Sequence, residues 1–160
     1  MRKRRELQTV SQILAGDHHD QVVYEMYGHL LDKADQHGIE NLADAERAVI
    51  CTVLLEAEVN NGGFDQYFFN SSGNWAKYTL AALASVGAWH TAALFRKALA
   101  VFPDGQPSDD RAIRWQQMDR IADSQIFSEL DQAFYKEEDD LTELLYKYIT
   151  TNRSEFERAG

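Results

Sequence analysis

The chain has 160 residues, of which 44% are hydrophobic, and it carries a formal net charge of −10 at pH 7. A chain of this length can bury a core of its own, and its apolar fraction is too high for an intrinsically disordered protein. The acidic body excludes direct nucleic-acid binding, which depends on cationic groups that displace counterions. A basic partner would instead be attracted to it.

Cysteine content and hydropathy indicate a cytoplasmic protein. Cys51 is the only cysteine, so no internal disulfide can form, which suits a reducing compartment. Residues 1–14 include the basic run Arg2–Arg5 but no apolar region of a secretory signal. No stretch reaches the roughly 18 to 20 apolar residues that a membrane span requires, so we expect no membrane association.

Two long helices are predicted first along the chain. Apolar residues recur at the spacing i, i+3, i+4, i+7 between residues 22 and 34, as in an amphipathic helix. Asp17 is the predicted N-cap of this helix and Gly38 its stop. A second helix is predicted from Asp44 to Asn60, ended by the Asn-Asn-Gly-Gly run that closes at Gly63.

Shorter helices are predicted in the rest of the chain. Phe64, Tyr67 and Phe68 share one helical face and indicate a short aromatic helix. The aromatic residues of this region are interpreted as core, namely Phe64, Tyr67, Phe68, Phe69, Trp75 and Tyr78. Further helices are expected over 75–86, 89–102, 108–121 (capped by Ser108), 126–135 and 139–157. The sequence therefore predicts an all-α fold of about seven to nine helices. Residues 1–15 would form a basic N-terminal arm with a short helix, and residues 16–160 a single compact domain.

The negative charge is concentrated in two blocks of sequence. Residues 17–65 carry a net charge of −9 and residues 119–143 carry −7, whereas residues 66–118 between them carry +2. Without the four bases of Arg2–Arg5 the chain would carry −14. The two acidic blocks would form one strongly negative surface if the fold brought them together.

The candidate partner-binding residues are carboxylates of these two blocks. On the first helix Glu25, Asp32 and Asp35 lie away from the apolar stripe. The complete set that we expect to face a partner is Glu25, Asp32, Asp35, Glu40, Asp44, Glu46, Glu137, Glu138, Asp139, Asp140 and Glu143. The simpler interpretation of many of these acids is that they cap helix starts or face solvent.

Catalytic and metal-binding patterns are absent from the sequence. The five histidines form no His-Glu-x-x-His motif and there is no cysteine pair, so we expect no metal and no cofactor. Cys51 has apolar neighbours and is interpreted as a core residue rather than a nucleophile. A small hydrolase or transferase built on Glu56, Glu58, Asp65 and His90 remains as an alternative.

One segment resembles a known family. Within Leu55–Gly73 a Glu-rich helix end is followed by Asn-Gly-Gly-Phe at Asn61–Phe64, Gln-Tyr-Phe at Gln66–Phe68 and Asn-Ser-Ser-Gly at Asn70–Gly73. This pattern resembles the bacterial DNA-mimic protein (DMP) family, an acidic all-helical family formerly of unknown function. The motif itself supports the fold and does not locate a binding surface.

The resemblance implies a non-enzymatic homodimer whose surface carboxylates imitate duplex phosphates. Its partner would be a basic DNA-binding protein such as a helix-turn-helix transcription regulator, which it would keep from DNA. The alternative from the residues is a generic helical interaction or regulatory module that binds through an apolar groove, with its acidity serving solubility. Salt distinguishes the two hypotheses, because ionic contacts between exposed groups weaken as ionic strength rises.

Overall fold

Helices account for every regular element in the part of the chain that the computed structural model describes, residues 8–121 and 125–157. The α-helices are α1 Val10–Ile13, α2 His19–His37, α3 Asp44–Phe69, α4 Ala76–Val86, α5 Trp89–Leu99, α6 Arg111–Asp119, α7 Ile126–Phe134, α8 Leu141–Thr151 and α9 Arg153–Glu157. Short 3₁₀-helices occupy Ile39–Asn41, Ser71–Trp75 and Pro103–Gly105. The predicted all-α fold of seven to nine helices is confirmed for these residues.

Some sequence predictions lie beyond what the structure tests. The basic run Arg2–Arg5 lies outside the described residues. The division into an arm over 1–15 and one domain over 16–160 stays a prediction. None of the helices within 8–121 and 125–157 is long and apolar enough to cross a membrane.

The amphipathic stripe of α2 forms the face that packs into the core. Its buried side chains are Val22, Val23, Met26, Leu30 and Ala34, as their spacing predicts. Gly38 stops the helix with a φ of 82°, and its N–H donates to the carbonyl of Ala34. The predicted cap was wrong, since His18 rather than Asp17 occupies the N-cap position and makes no side-chain capping bond.

Helix α3 contains a break at its two glycines and then continues. Gly62 and Gly63 have non-helical backbone angles, and the φ of 77° at Gly63 lies in the region that favours glycine. Helix α7 supplies partners for the interrupted backbone, because Asp131 accepts from the Phe64 N–H at 2.8 Å. The Tyr135 hydroxyl donates to the Val59 carbonyl at 2.9 Å. The predicted stop is therefore a kink inside one element.

Three later helix boundaries differ from the predictions. Helix α6 is capped by Asp110, whose carboxylate accepts from Ala112 and Ile113 N–H groups, and not by Ser108. The helix predicted over 139–157 is divided at Asn152 into α8 and α9. Helix α5 ends at Leu99, three residues before the predicted end.

Helix α3 lies at the centre of the core, and a group of aromatic rings packs around its residue Phe68. Helix α3 contacts α2, α4, α6, α7, α8 and α9. The Phe68 ring contacts the rings of Tyr67, Phe95, Phe102 and Phe127 at centroid distances of 4.7–6.0 Å. Of the aromatic residues predicted to be core, Phe64, Tyr67 and Phe68 are fully buried, and Trp75 and Tyr78 are partly buried against the core. The prediction was wrong for Phe69, which is 48% exposed.

A buried arginine fastens the segment after α3 to α6. Arg114 is fully buried, and its guanidinium donates to the carbonyls of Phe68, Asn70 and Ser108 and to the Asn74 side chain at 2.6–2.9 Å. These bonds satisfy a charge that would be costly to bury alone. The Asn-Ser-Ser-Gly segment thus has a structural role.

Candidate protein-binding surface

The acids predicted on α2 and just after it lie on the surface. Asp32 and Asp35 are exposed, and Glu25 is partly buried and accepts from the Gln21 amide at 2.9 Å. Glu40 is exposed, and Asp44 is exposed while paired with Arg47. These carboxylates are accessible to a partner.

Glu46 is a correction to the predicted surface. It lies in the first turn of α3, where its carboxylate reaches back to accept from the Ala43 N–H at 2.9 Å. The same carboxylate accepts from the Lys33 ammonium at 2.9 Å, and its side chain is 2% exposed. Glu46 therefore joins α2 to α3 inside the protein and takes no part in a binding surface.

The four consecutive acids of the second block lie in the turn between α7 and α8. Glu137, Glu138 and Asp140 are exposed and Asp139 is partly buried. Asp139 accepts from the Thr91 N–H at 2.6 Å in the first turn of α5, and Asp140 caps α8 by accepting from the Glu143 N–H at 3.0 Å. Two of the four acids thus also serve as helix caps, and this fixes their positions.

Glu56 of α3 brings the first acidic block into contact with the second. It lies with Asn60, His90 and Glu137 around a small cavity of about 20 Å³. Burial raises the pKa of the Glu56 carboxyl, and the negative charges of Glu137 and Asp140 raise it further. The two blocks that are separate in sequence therefore converge in space. Below, the acidic cluster means Glu56, Glu137, Glu138, Asp139 and Asp140.

Two histidines lie against the acids of this region. His90 Nδ1 is 3.1 Å from a Glu138 carboxylate oxygen. His19 Nδ1 is 2.7 Å from Glu143, and the His19 ring stacks on Tyr146 at a centroid distance of 3.6 Å. The second contact connects the start of α2 to α8 and restrains Glu143, the last of the predicted binding acids.

Two exposed aromatic side chains lie within two residues, in the sequence, of residues that line the cavity, and sequence reasoning missed them. Trp89 is 68% exposed and immediately precedes His90, while Tyr135 is 43% exposed and lies two residues before Glu137. Exposed tryptophan and tyrosine are the residue types enriched in binding hot spots. Helical periodicity does not predict that these two side chains are exposed, because neither residue interrupts an apolar stripe. Their exposure depends on how other elements pack around them.

Part of the alternative catalytic cluster comes together, since Glu56 and His90 line one cavity, whereas Glu58 and Asp65 do not line it. Glu58 accepts hydrogen bonds from Gln66, Asn70 and Ser72 at 2.7–3.1 Å, so it holds the segment after the kink. It does not line the cavity that Glu56 and His90 share. Within the described residues no group of three or more His, Cys, Asp or Glu side chains could hold a metal ion.

Cys51 is a core residue, as the sequence predicts. Its side chain is 1% exposed. Burial raises the pKa of its thiol to about 12, so the thiol stays protonated near neutral pH. A buried, protonated thiol is a poor nucleophile, because the thiolate is the reactive form.

Comparison with known proteins supports the resemblance seen in the sequence. Residues 40–152 match the family model described as DMP19-like protein, which is most of the chain and includes α3 to α8. A comparison with curated proteins finds no match. The matching family is one of DNA-mimic proteins. The chain therefore belongs to the DMP19-like protein family.

Proposed function

We propose that this protein binds the DNA-contacting face of a basic DNA-binding protein, with a helix-turn-helix transcription regulator as the expected class, and so keeps it from DNA. The observation that carries the proposal is the convergence of Glu56 from the first acidic block with Glu137 and Asp140 from the second. Membership of the DMP19-like family supports the same function. We further propose that the protein acts in the cytoplasm as a homodimer.

Electrostatics explains how such a surface would compete with DNA. Duplex DNA presents one negative charge per roughly 1.7 Å of helix axis, and its binding proteins present matching lysines and arginines. Four consecutive acids at Glu137–Asp140 together with Glu56 would present several carboxylates at one site. Because backbone hydrogen bonds fix Asp139 and Asp140, less ordering is needed when a partner binds.

The two exposed aromatic residues that are near the acidic cluster in the sequence would add a second kind of contact. Trp89 and Tyr135 are exposed and can pack on the alkyl stems or cationic heads of partner arginines and lysines. The ridge formed by Glu25, Asp32, Asp35, Glu40 and Asp44 and the restrained Glu143 would extend the negative field. Carboxylates would thus attract the partner while the aromatic rings slow its dissociation.

The first test identifies the partner and then removes charge from the acidic cluster. A tagged protein is used to capture partners from a lysate at low salt, with elution by rising salt and by duplex DNA. The captured protein is then titrated against the double variant Glu137→Gln, Glu138→Gln. We expect its affinity to fall at least about tenfold at fixed salt, as for loss of close interfacial charge pairs.

A matched double variant distinguishes the effect of the acidic cluster on binding from the effect of the net charge of the protein. Asp104→Asn with Asp119→Asn removes the same charge from exposed positions outside the acidic cluster, and it should weaken binding much less. Equal losses for the two double variants would reject the cluster as the binding site. Capture of a salt-resistant partner with no affinity for DNA would reject mimicry and favour the generic interaction module.

A further inference from the structure

We infer that His90 holds the turn Glu137–Asp140 in place and, by taking up a proton, weakens the binding of a basic partner to the acidic cluster as the pH falls. The effect on the partner rests on the proposed function, because it requires that the acidic cluster is the binding surface. The contact between His90 and the turn does not depend on that function. It is argued from distances, burial and the charges around the ring.

The turn that carries most of the acidic cluster is attached to the first residues of α5. One Glu138 carboxylate oxygen lies 3.1 Å from His90 Nδ1, and Asp139 accepts from the Thr91 N–H at 2.6 Å. Two consecutive acids therefore contact two consecutive residues of α5. The side chains of His90 and Glu138 are 33% and 53% exposed, so the pair lies at the surface, where both protons and a partner reach it.

Every charged group that lines the cavity with His90 is a carboxylate. Glu56 comes from α3, and the turn supplies Glu137, Glu138 and Asp139. The uncharged lining residues come from α3, α5, α7 and α8, namely Asn60, Thr91, Leu94, Phe134 and Leu141. A positive charge on His90 would therefore be attracted by carboxylates from two elements.

The helices that pack on α5 bring no further charged residue into the cavity lining. Helix α4 carries one charged residue, Lys77, which is paired with Asp109 at 2.7 Å. The carboxylates of α7, Glu129 and Asp131, do not line the cavity. The acids of the cavity therefore determine what a charge on His90 does.

Protonation changes what His90 does in this cluster. A neutral imidazole with its hydrogen on Nδ1 donates to Glu138 and keeps a lone pair on Nε2. The Nε2 atom is buried and has no hydrogen-bond partner among the described residues, and a lone pair needs no acceptor there. Histidine is the side chain that changes its charge between about pH 5 and 8. The imidazolium would offset one of the negative charges of the acidic cluster.

Glu56 adds to the effect of His90. Burial, and then the charges of Glu137 and Asp140, raise the pKa of its carboxyl, so Glu56 takes up a proton at a higher pH than an ordinary carboxyl does. The turn would stay in place, because Asp139 and Asp140 also accept from backbone N–H groups. The two protonations together would offset two of the negative charges of the acidic cluster, so a basic partner would be attracted less.

The first test titrates the full-length protein with the captured DNA-binding partner at about pH 7.5 and about pH 5.5, with the salt fixed. The wild-type affinity should be at least about tenfold lower at the acidic pH. His90→Gln keeps a polar side chain beside Glu138 but takes up no proton, so its affinity should fall by less than about threefold. His37→Gln is the matched control, since His37 is exposed at the end of α2, and it should retain the wild-type pH dependence.

Comparison among these three proteins removes the contribution of the partner, because any titration of the partner affects all of them alike. An equal pH dependence in the wild type and in His90→Gln would overturn the inference. If circular dichroism shows that His90→Gln is unfolded, His90→Asn replaces it.

The second test needs no partner and so separates this inference from the proposed function. A double-mutant cycle combines His90→Gln with Glu138→Gln, and urea denaturation measures the unfolding constant at both pH values. The two substitutions should be coupled by about two- to fivefold at the acidic pH, as for a surface ion pair, and less at the higher pH. Absence of coupling at both pH values would overturn the inference. Coupling without any DNA-competing partner would sustain the contact between His90 and the turn and reject mimicry.

Discussion

At the scale of single residues, Glu56 shows how the surroundings of a carboxyl change its properties. On sequence grounds Glu56 was one of several acids near the glycine turn, and the predicted binding set omitted it. In the folded chain it shares a cavity with Glu137 and His90, and burial together with neighbouring charge raises its pKa. Its charged form is therefore less favourable in the folded protein than in the unfolded chain.

This shift predicts a pH-dependent effect of Glu56→Gln on stability. The pKa is raised in the folded state, so a charged Glu56 opposes folding near neutral pH, and the variant should be more stable than wild type there. The advantage should decline as pH falls through the raised pKa towards the ordinary value of 4.5, because the wild-type carboxyl then takes up its proton. Denaturant titrations between neutral and mildly acidic pH measure this difference.

The control for this titration is Asp35→Asn, at an exposed position of α2. It should change the free energy of unfolding by less than about 0.5 kcal/mol at neutral pH, as most surface substitutions do. A Glu56→Gln variant that is less stable than wild type at neutral pH would contradict the electrostatic account. So would a stability gain that stays constant as the pH falls.

At the scale of elements, the kink in α3 fixes how α7 is placed. The break exposes backbone groups in the middle of a helix, and these require partners. Asp131 of α7 and Tyr135, the residue after its end, supply two of them, at the Phe64 N–H and the Val59 carbonyl. Since Tyr135 lies two residues before Glu137, the same contacts position the turn that carries the acidic cluster.

The kink predicts that Gly63→Ala is destabilising. An alanine would have to adopt a φ of 77°, and its Cβ would overlap the Asp131 carboxylate. We expect a loss of about 2–4 kcal/mol in the free energy of unfolding, combining the left-handed backbone with the steric overlap. Equilibrium denaturation with urea measures the loss.

Two other glycines serve as matched controls for this substitution. Gly28→Ala lies in α2 with no neighbour close to the added Cβ and should stabilise the protein by about 0.5–1 kcal/mol. Gly105→Ala has a φ of 67° but open space around it, so it isolates the backbone cost of about 1–2 kcal/mol. If Gly63→Ala lost no more stability than Gly105→Ala, the contact with Asp131 would have no part in the kink.

At the scale of the whole molecule, repulsion between like charges lowers the stability of the folded state. Residues 17–65 and 119–143 carry net charges of −9 and −7, and the fold brings Glu56 of one block near Glu137 and Asp140 of the other. Repulsion within the acidic cluster is offset by the buried core around α3. Such an arrangement is expected where a negative field serves binding rather than stability.

Salt should therefore stabilise this protein. Raising NaCl from about 0.05 to 0.5 M shortens the Debye length from more than 10 Å to less than 5 Å and screens the repulsion. We expect the Tm to rise by about 2–4 °C, equivalent to about 1 kcal/mol for a chain of this size. Differential scanning calorimetry measures the rise, and Glu137→Gln with Glu138→Gln should reduce it. A Tm that falls with salt would show that attractive ion pairs dominate the folded state.

Periodicity by itself determined the helical architecture and its core, because an amphipathic stripe depends only on residues a few positions apart. It predicted the buried face of α2, the aromatic core at Phe64, Tyr67 and Phe68, and the stop at Gly38. The N-cap residues were less predictable. Asp17 and Ser108 were expected to cap their helices, but the nearby residues His18 and Asp110 occupy those positions. Composition likewise indicated an acidic protein, and the Asn-Gly-Gly-Phe pattern indicated its family.

Only the tertiary structure decided which acids belong together. It buried Glu46 against Lys33 and joined Glu56 to the turn before α8. It also left the side chains of Trp89, Tyr135 and Trp115 exposed. These relations connect residues that are distant in sequence, and they depend on how helices pack around α3. A charge count cannot supply them, because burial and proximity are set by packing between elements rather than by the order of residues along the chain.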